Sequence, residues 1–422
     1  LRAVILATLL ASFSTIACKP ATPKRVVLIV VDTLRSDFGG AETPTLLRLA
    51  SSGTSVSALA SFHQTSSSMA ALWTGATPSL ETPDAAKTLP WTGATWCGLA
   101  RFGTGEAGSE CLPLALPTIA ERFRSAGYRT VGVASNNLLF RPAGFDRGFD
   151  EWQEVGLVSG QQRGESMAAF SRRAAKARNA VEVKTAALQA VEPYSSEFLF
   201  LYVHFMDVHD WYVPGDPTRP PTNVSLYVDA VTRFDRELDD FLVSLTKRGL
   251  LDDAVMIITA DHGEALGEPH PVTPGLAHFA NPSYEPVLAI PLILWPTHPE
   301  PSRPMRSEDL HRWLLERVGA RPSTIKSPLS DDELFISELH YQTLRSGDWK
   351  FVRHRGGARS PLFNLKDDPR ELHDLAASEP EVVARLTARI ATISRVLAAA
   401  PSRGRESNAS DADRLRALGY LQ

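Results

Sequence analysis

Several features are missing from this sequence. Charge of one sign is absent: 44 Lys and Arg are interspersed with 48 Asp and Glu, for a net charge of −4. No basic stripe is available to neutralise phosphates, so nucleic acid is not an expected partner. Compositional bias is absent too. With 43% hydrophobic residues, nothing points to disorder, collagen or a coiled coil, and no internal repeat is visible. A 422-residue chain of this kind can bury one large core and a smaller one. The apolar run at the start, Ala3 to Phe13, is too short to span a bilayer.

That run follows Arg2, and the combination has the make-up of a signal-peptide core, which implies export. Cysteine is scarce, with three in all. Cys18 follows small residues in a pattern that resembles a bacterial lipoprotein signal, in which the cysteine becomes the lipidated N-terminus. Plain cleavage near Ala17 is the alternative. Residues 1–18 are therefore read as a signal peptide of an exported bacterial protein, periplasmic or in the outer membrane, and a lipid anchor is its one expected tie to a membrane. Cys97 and Cys111 flank the Gly-rich stretch "CGLARFGTGEAGSEC". In an oxidising compartment a disulfide there would restrict the unfolded chain by about 3 kcal/mol; the alternative is two unpaired buried thiols.

"RVVLIVVDTLRSD", from Arg25, is a continuous β-branched run, the pattern of a strand buried on both faces of a parallel sheet, and it ends in Asp32. "TPTLLRLASSG" reads as a helix with Thr43 as N-cap, Pro44 in the first turn and Gly53 as stop. "LPTIAERFRSAGYRTVGVASN" repeats the helix-then-strand scheme. Later strands are "EFLFLYVHF", "AVMIITADHGE" and "VLAIPLILW", and a helical period from Val228 to Lys247 precedes the second of these. Strands alternating with helices predict an α/β fold with a large, mostly parallel mixed sheet flanked by helices. After about Arg321 short alternating segments broken by Gly and Asp predict a small antiparallel-sheet subdomain, closed by an amphipathic helix from Glu379 to Leu397. The domain reading is thus 24–321, 322–397 and a tail, 398–422.

In open α/β sheets ligands bind beyond the carboxyl ends of the strands. Asp32, then Asp261 and His262, stand at such ends, with His204, Asp207 and His209 as further candidates. One acid after a strand is commonly a helix cap. Several converging on one edge would repel unless a cation lay between them. Mixed carboxylate and imidazole donors favour Mn²⁺ or Zn²⁺ over Ca²⁺, which remains possible.

"VLIVVDTLRSD", "TPTLLRLASSG", "SSSMAALWTG", "GFDRGFDEW", "ITADHGEALGE", "SYEPVLAIPLILW", "LRSGDWKFVR" and the closing "LRALGYL" stand in one order along the chain. In that order they resemble the sulfatases and their relatives in the alkaline phosphatase superfamily. The resemblance implies an alkaline phosphatase/sulfatase-like fold and hydrolysis of a sulfate or phosphate ester with one divalent metal ion. In that family the nucleophile lies nine residues before the threonine of a Thr-Gly pair. Here that count, from Thr74, selects Thr65. Sulfatases oxidise a Cys or Ser at this place to formylglycine. A threonine carries a methyl group on its β-carbon and yields at best a ketone. Thr65 instead resembles the nucleophile of the phosphodiesterases and phosphoryl-head-group transferases of the superfamily, where a metal lowers the hydroxyl pKa.

The resemblance implies Asp32, Thr65, Asp261 and His262 as the metal set, and Thr65, His209 and His278 as catalytic residues. Arg35, Asn136 and Asn137 are implied as substrate-binding. Glu264 and His270 are expected to organise the loop after the metal pair. The substrate class is a small-molecule, glycan or lipid ester. The alternatives are a head-group transferase of the cell envelope and a catalytically silent binder of anionic glycans.

Overall fold

The computed structural model describes residues 22–397 apart from 78–111, 113–115, 137, 140, 142–143, 157–161, 163, 195–196, 213–221, 272–277, 279–283, 323–326, 338–340 and 357–358. The readings of the signal peptide, of Cys18, Cys97 and Cys111, of Asn137 and of the 398–422 tail fall outside the described residues.

The chain begins β1 (Arg25–Val31), α1 (Pro44–Ser52), β2 (Thr54–Leu59), α2 (Thr65–Thr74), α3 (Ile119–Ser125), β3 (Arg129–Ala134) and β4 (Glu151–Glu154). It continues through α4 (Met167–Ala177), α5 (Ala180–Val191), β5 (Leu199–Phe205), α6 (Asn223–Lys247) and β6 (Ala254–Thr259). Then come α7 (Glu285–Leu288), β7 (Ala289–Trp295), β8 (Met305–Arg306) and α8 (Ser307–Arg317). The C-terminal part is β9 (Glu333–Ser337), β10 (Tyr341–Ser346), β11 (Trp349–His354), β12 (Leu362–Asn364) and α9 (Pro380–Leu397).

The first eight strands form one sheet in the order β4-β3-β5-β1-β6-β7-β2-β8. From β4 to β6 neighbouring strands are parallel, and β7 runs antiparallel to both β6 and β2. β1 lies in the middle, with every residue buried, as its unbroken apolar run requires when helices cover both faces. Because β5, β1 and β6 are parallel and adjacent, the residues that follow their C-terminal ends share one edge of the sheet.

Helix α6 buries Tyr227, Val231, Phe234, Leu238, Phe241 and Leu245, a stripe at helical spacing. It also caps α1. Thr43 occupies the N-cap position of α1 but its side chain makes no capping bond there. The buried Asp235 of α6 accepts the amides of Thr45 and Leu46 at 3.0 and 2.9 Å. A carboxylate from a neighbouring helix replaces the local hydroxyl, and ties two helices together.

The C-terminal strands form an antiparallel sheet in the order β12-β11-β10-β9. Helix α9 covers it, packing Leu386, Ile390, Ile393 and Leu397 with Phe335, Leu344, Phe351 and Leu362. Among the described residues no helix is long and apolar enough to cross a membrane.

Candidate metal and catalytic site

The chain makes a strained turn where β1 ends. Thr33 has φ 61°, unusual for a β-branched residue. The turn aims the Thr33 amide at Asp261 Oδ1, 3.2 Å away. It is held by Tyr227, whose hydroxyl donates to Thr33 O at 2.7 Å and accepts from Arg35 N at 2.9 Å. Tyr227 escaped the sequence reading; the available signal was a tyrosine on a buried stripe, whose hydroxyl needs a partner.

Asp32, Asp261 and His262 are fully buried, and one ligand atom from each lies within 4.8 Å of the others. Each carboxylate is half satisfied. Asp32 Oδ2 accepts from Asn136 Nδ2 at 2.7 Å, whereas its Oδ1 has no hydrogen-bond partner. Asp261 Oδ1 accepts from the amides of Thr33 and His262, at 3.2 and 2.8 Å, whereas its Oδ2 has none. The His262 Nδ1 lies 2.8 Å from Gly263 O, so it carries the proton and leaves the Nε2 lone pair free, 3.6 Å from Asp261 Oδ2 and 4.0 Å from Asp32 Oδ1. Two unpartnered carboxylate oxygens and one imidazole lone pair converging in a buried space fit a divalent cation.

The electrostatics agree. Burial, and then the neighbouring Asp261, push the Asp32 carboxyl well above the usual carboxylate range. For Asp261 burial acts upward as well, but His262 and His204 outweigh it and hold the carboxyl low. Two buried carboxylates without a cation cannot both ionise cheaply, and a divalent ion removes that conflict.

Thr65 opens α2, a helix whose ten residues are all buried. Its Oγ1 lies 3.4 Å from Asp32 Oδ2, 3.4 Å from His262 Nε2 and 3.2 Å from Asn136 Nδ2. The helix is pinned against the metal loop by Ser68, whose hydroxyl donates to Asp261 O at 2.6 Å. One turn further on, His311 of α8 faces Leu72 O at 2.9 Å. The structure therefore brings Asp32, Thr65, Asn136, Asp261 and His262 together.

His278 stacks near His262, with ring centroids 4.3 Å apart, and its Nδ1 is 3.3 Å from Glu264 Oε1. Glu264 Oε2 also accepts from Trp211 Nε1 at 3.1 Å. His209 lies further out, its ring 5.9 Å from that of His278 and its Nδ1 3.5 Å from Asp210 Oδ1. Asp210 is in turn paired with Arg178 at 2.6 Å. His209, His278 and His262 thus follow one another in ring contact.

Other candidates sit differently. His204, near the end of β5, has its Nε2 3.8 Å from Asp32 Oδ2 and 4.0 Å from Asp261 Oδ2, with neither ring nitrogen hydrogen-bonded, and burial lowers its pKa to about 4. Asp207 caps α5 by accepting the Ala180 amide at 2.9 Å. The Arg35 guanidinium is engaged by Asp37 at 2.7 Å, by Glu264 O at 3.1 Å and by Glu268. These bonds tie the β1 loop to the loop after β6.

A family model described as Sulfatase matches residues 24–319. The chain belongs to the sulfatase family. Arylsulfatase K of Bos taurus is 25% identical over 199 residues, a match covering 40% of this chain and 36% of that protein. An N-acetylgalactosamine-6-O-sulfatase of Bacteroides thetaiotaomicron is 22% identical over 245 residues, covering 46% and 47%. The chain thus spans less than half the length of these curated relatives. Among solved structures, Ps i-CgsB in complex with k-i-k-neocarrahexaose superposes with a TM-score of 0.64 at 17% identity, covering 94% of this chain and 98% of the other, which shows the shared fold. In this member of the sulfatase family, Asp32, Asp261 and His262 form the candidate metal site, with the Thr65 hydroxyl beside them.

Proposed function

We propose that this sulfatase-family protein is a divalent-metal-dependent hydrolase of sulfate or phosphate esters, with Thr65 as its nucleophile. The observation that carries the reading is the placement of Thr65 Oγ1 within 3.4 Å of both Asp32 Oδ2 and His262 Nε2, beside two carboxylate oxygens that have no hydrogen-bond partner. Asp32, Asp261, His262 and Thr65 would hold the ion. When bound, the cation neutralises the carboxylate pair and lowers the pKa of the adjacent hydroxyl. Asn136 donates to Asp32 Oδ2 and to Thr65 Oγ1 and so fixes the direction of the hydroxyl. The Thr65 oxygen attacks phosphorus or sulfur, the alcohol leaves, and water cleaves the resulting Thr65 ester. His278 and His209, with Glu264 orienting the former, supply donors on the side from which the ester enters and offset charge on the non-bridging oxygens.

The names of relatives support a sulfated glycan as substrate class; export from a bacterium, with a lipid anchor at Cys18, belongs to the same proposal and rests on the make-up of residues 1–18. Thr65 itself supports phosphate esters, since it cannot become formylglycine. Purified protein incubated with aryl phosphodiesters and aryl sulfates, beside Thr65→Ala, separates these. Loss of turnover in Thr65→Ala, with Ser66→Ala and Ser67→Ala still active, is expected. Turnover that survives Thr65→Ala overturns the assignment, and a wild type that takes up no divalent ion leaves the silent binder as the better reading.

A further inference from the structure

We propose that Lys350, in the C-terminal sheet, is a positioning residue for the loop that carries Asp261 and His262. Lys350 is fully buried on β11, with its Nζ 3.1 Å from Glu285 Oε1 and 2.6 Å from Glu371 Oε1. Glu285 opens α7. Its second carboxylate oxygen accepts from Arg345 Nη1 at 2.9 Å, and its backbone amide donates to Glu371 Oε2 at 2.9 Å. Three residues of the C-terminal part therefore grip this short turn by side chain and by backbone.

The other side of the turn meets the metal loop. The amide of Gly263, the residue after His262, donates to Val287 O at 2.7 Å, and that of Glu264 to Pro286 O at 3.2 Å. The approach is so close that a Cβ on Gly263 would lie 2.0 Å from Pro286 O. Further along the loop His270 packs against Tyr284, centroids 4.9 Å apart, and against Phe363 at 5.5 Å, with its Nε2 3.7 Å from Glu371 Oε2. A displacement of Glu285 is thus passed through the Tyr284–Leu288 backbone to the residue beside His262.

The cluster balances two cations, Arg345 and Lys350, against two carboxylates, Glu285 and Glu371. A balanced buried pair adds little net stability over apolar side chains of similar size, so its chemistry is better accounted for by what it fixes in place. Here it fixes the separation between the C-terminal sheet and the turn under the metal ligands. This inference rests on the reading of Asp261 and His262 as ligands. Metal binding and docking of the C-terminal sheet then strengthen each other by linkage.

The test compares wild type with K350M/E371Q, which keeps the cluster neutral, leaves Arg345 with Glu285 and retains an acceptor for the Glu285 amide. In calorimetric titration with Mn²⁺ alone, the double variant is expected to bind about tenfold more weakly, as for changes behind a ligand. In hydrogen exchange without metal, the peptide spanning Gly263 and Glu264 is expected to exchange about tenfold faster. R345Q, at the half-exposed arm of the cluster, should give both shifts at about threefold and covers the case of a double variant that does not fold. Wild-type exchange rates in a folded variant overturn the proposal, as does unchanged affinity where wild type binds Mn²⁺. Wild type that binds no Mn²⁺ refutes the metal reading separately, and the exchange comparison still decides whether Lys350 positions the loop.

Discussion

Two buried groups of charge lie on either side of the Tyr284–Leu288 turn, and they are built on opposite rules. Around Glu285 and Lys350 each carboxylate meets a cation, at 2.6–3.1 Å, and nothing is owed to a ligand. Around Asp32 and Asp261 two oxygens remain without a hydrogen-bond partner in a space closed to solvent. Burial penalises both groups, but only the second lacks an internal remedy. The difference identifies which of them awaits something from outside: an unbalanced acidic cluster is a binding site, and a balanced one is a fastening.

The sharpest way to break this contrast is to remove the hydroxyl beside the unbalanced group. Thr65→Ala should lower kcat by about 10³-fold or more on whichever ester is turned over, measured at saturating substrate and metal. Asp261→Asn comes next. Loss of a direct ligand should weaken divalent-ion binding by more than about 100-fold in calorimetry. In chelator, however, Asp32→Asn, which removes the carboxylate that burial and Asp261 penalise, should exceed wild type in stability by about 1–3 kcal/mol in urea denaturation. Glu285→Gln, which removes a carboxylate that Lys350 and Arg345 hold ionised against burial, should do the reverse. Asn136→Ala should lower kcat/KM by about 10- to 100-fold, the scale of a lost hydrogen bond to a charged group.

The smallest effect belongs to pH. Burial pushes the Glu371 carboxyl up to about 7, with Lys350 opposing and Glu285 adding to the rise. A folded pKa above the unfolded value of 4.5 means the native state holds this proton more tightly. The contribution to stability is then complete below about pH 4.5 and is lost as pH rises through about 7. Urea titrations between those limits should show wild-type stability falling by on the order of 1–3 kcal/mol more than that of Glu371→Gln. An identical slope in the two proteins would place the Glu371 proton elsewhere.

Much of this was legible in the chain itself. Apolar β-branched runs ending in Asp32 and Asp261 mark parallel strands whose tips share an edge, and the Thr-Gly spacing selects Thr65; all three meet in the fold. Asn136, which the resemblance implied as substrate-binding, follows another strand of the same sheet and donates to Asp32 and Thr65. Glu264 and His270, expected to organise the loop, do so through His278, Trp211 and Tyr284. Arg35 could not be decided locally, since its partner Glu268 is 233 residues away in sequence. Lys350 gave no signal at all. It stands on a strand just after a Gly-Asp pair, and only Glu285, 65 residues earlier, and Glu371 reveal why a lysine is buried there. Thr43 shows the converse: a good local cap signal, overridden when Asp235 of another helix arrives with a stronger acceptor.

The methyl group of Thr65 has one more consequence. β-Branching leaves few side-chain rotamers, and at the head of a helix buried on all sides that methyl has little room to swing. The oxygen proposed to attack is therefore aimed before any ester arrives, with little rotational entropy left to lose. The same methyl precludes oxidation to formylglycine, so the nucleophile proposed for this chain is complete when folding is complete.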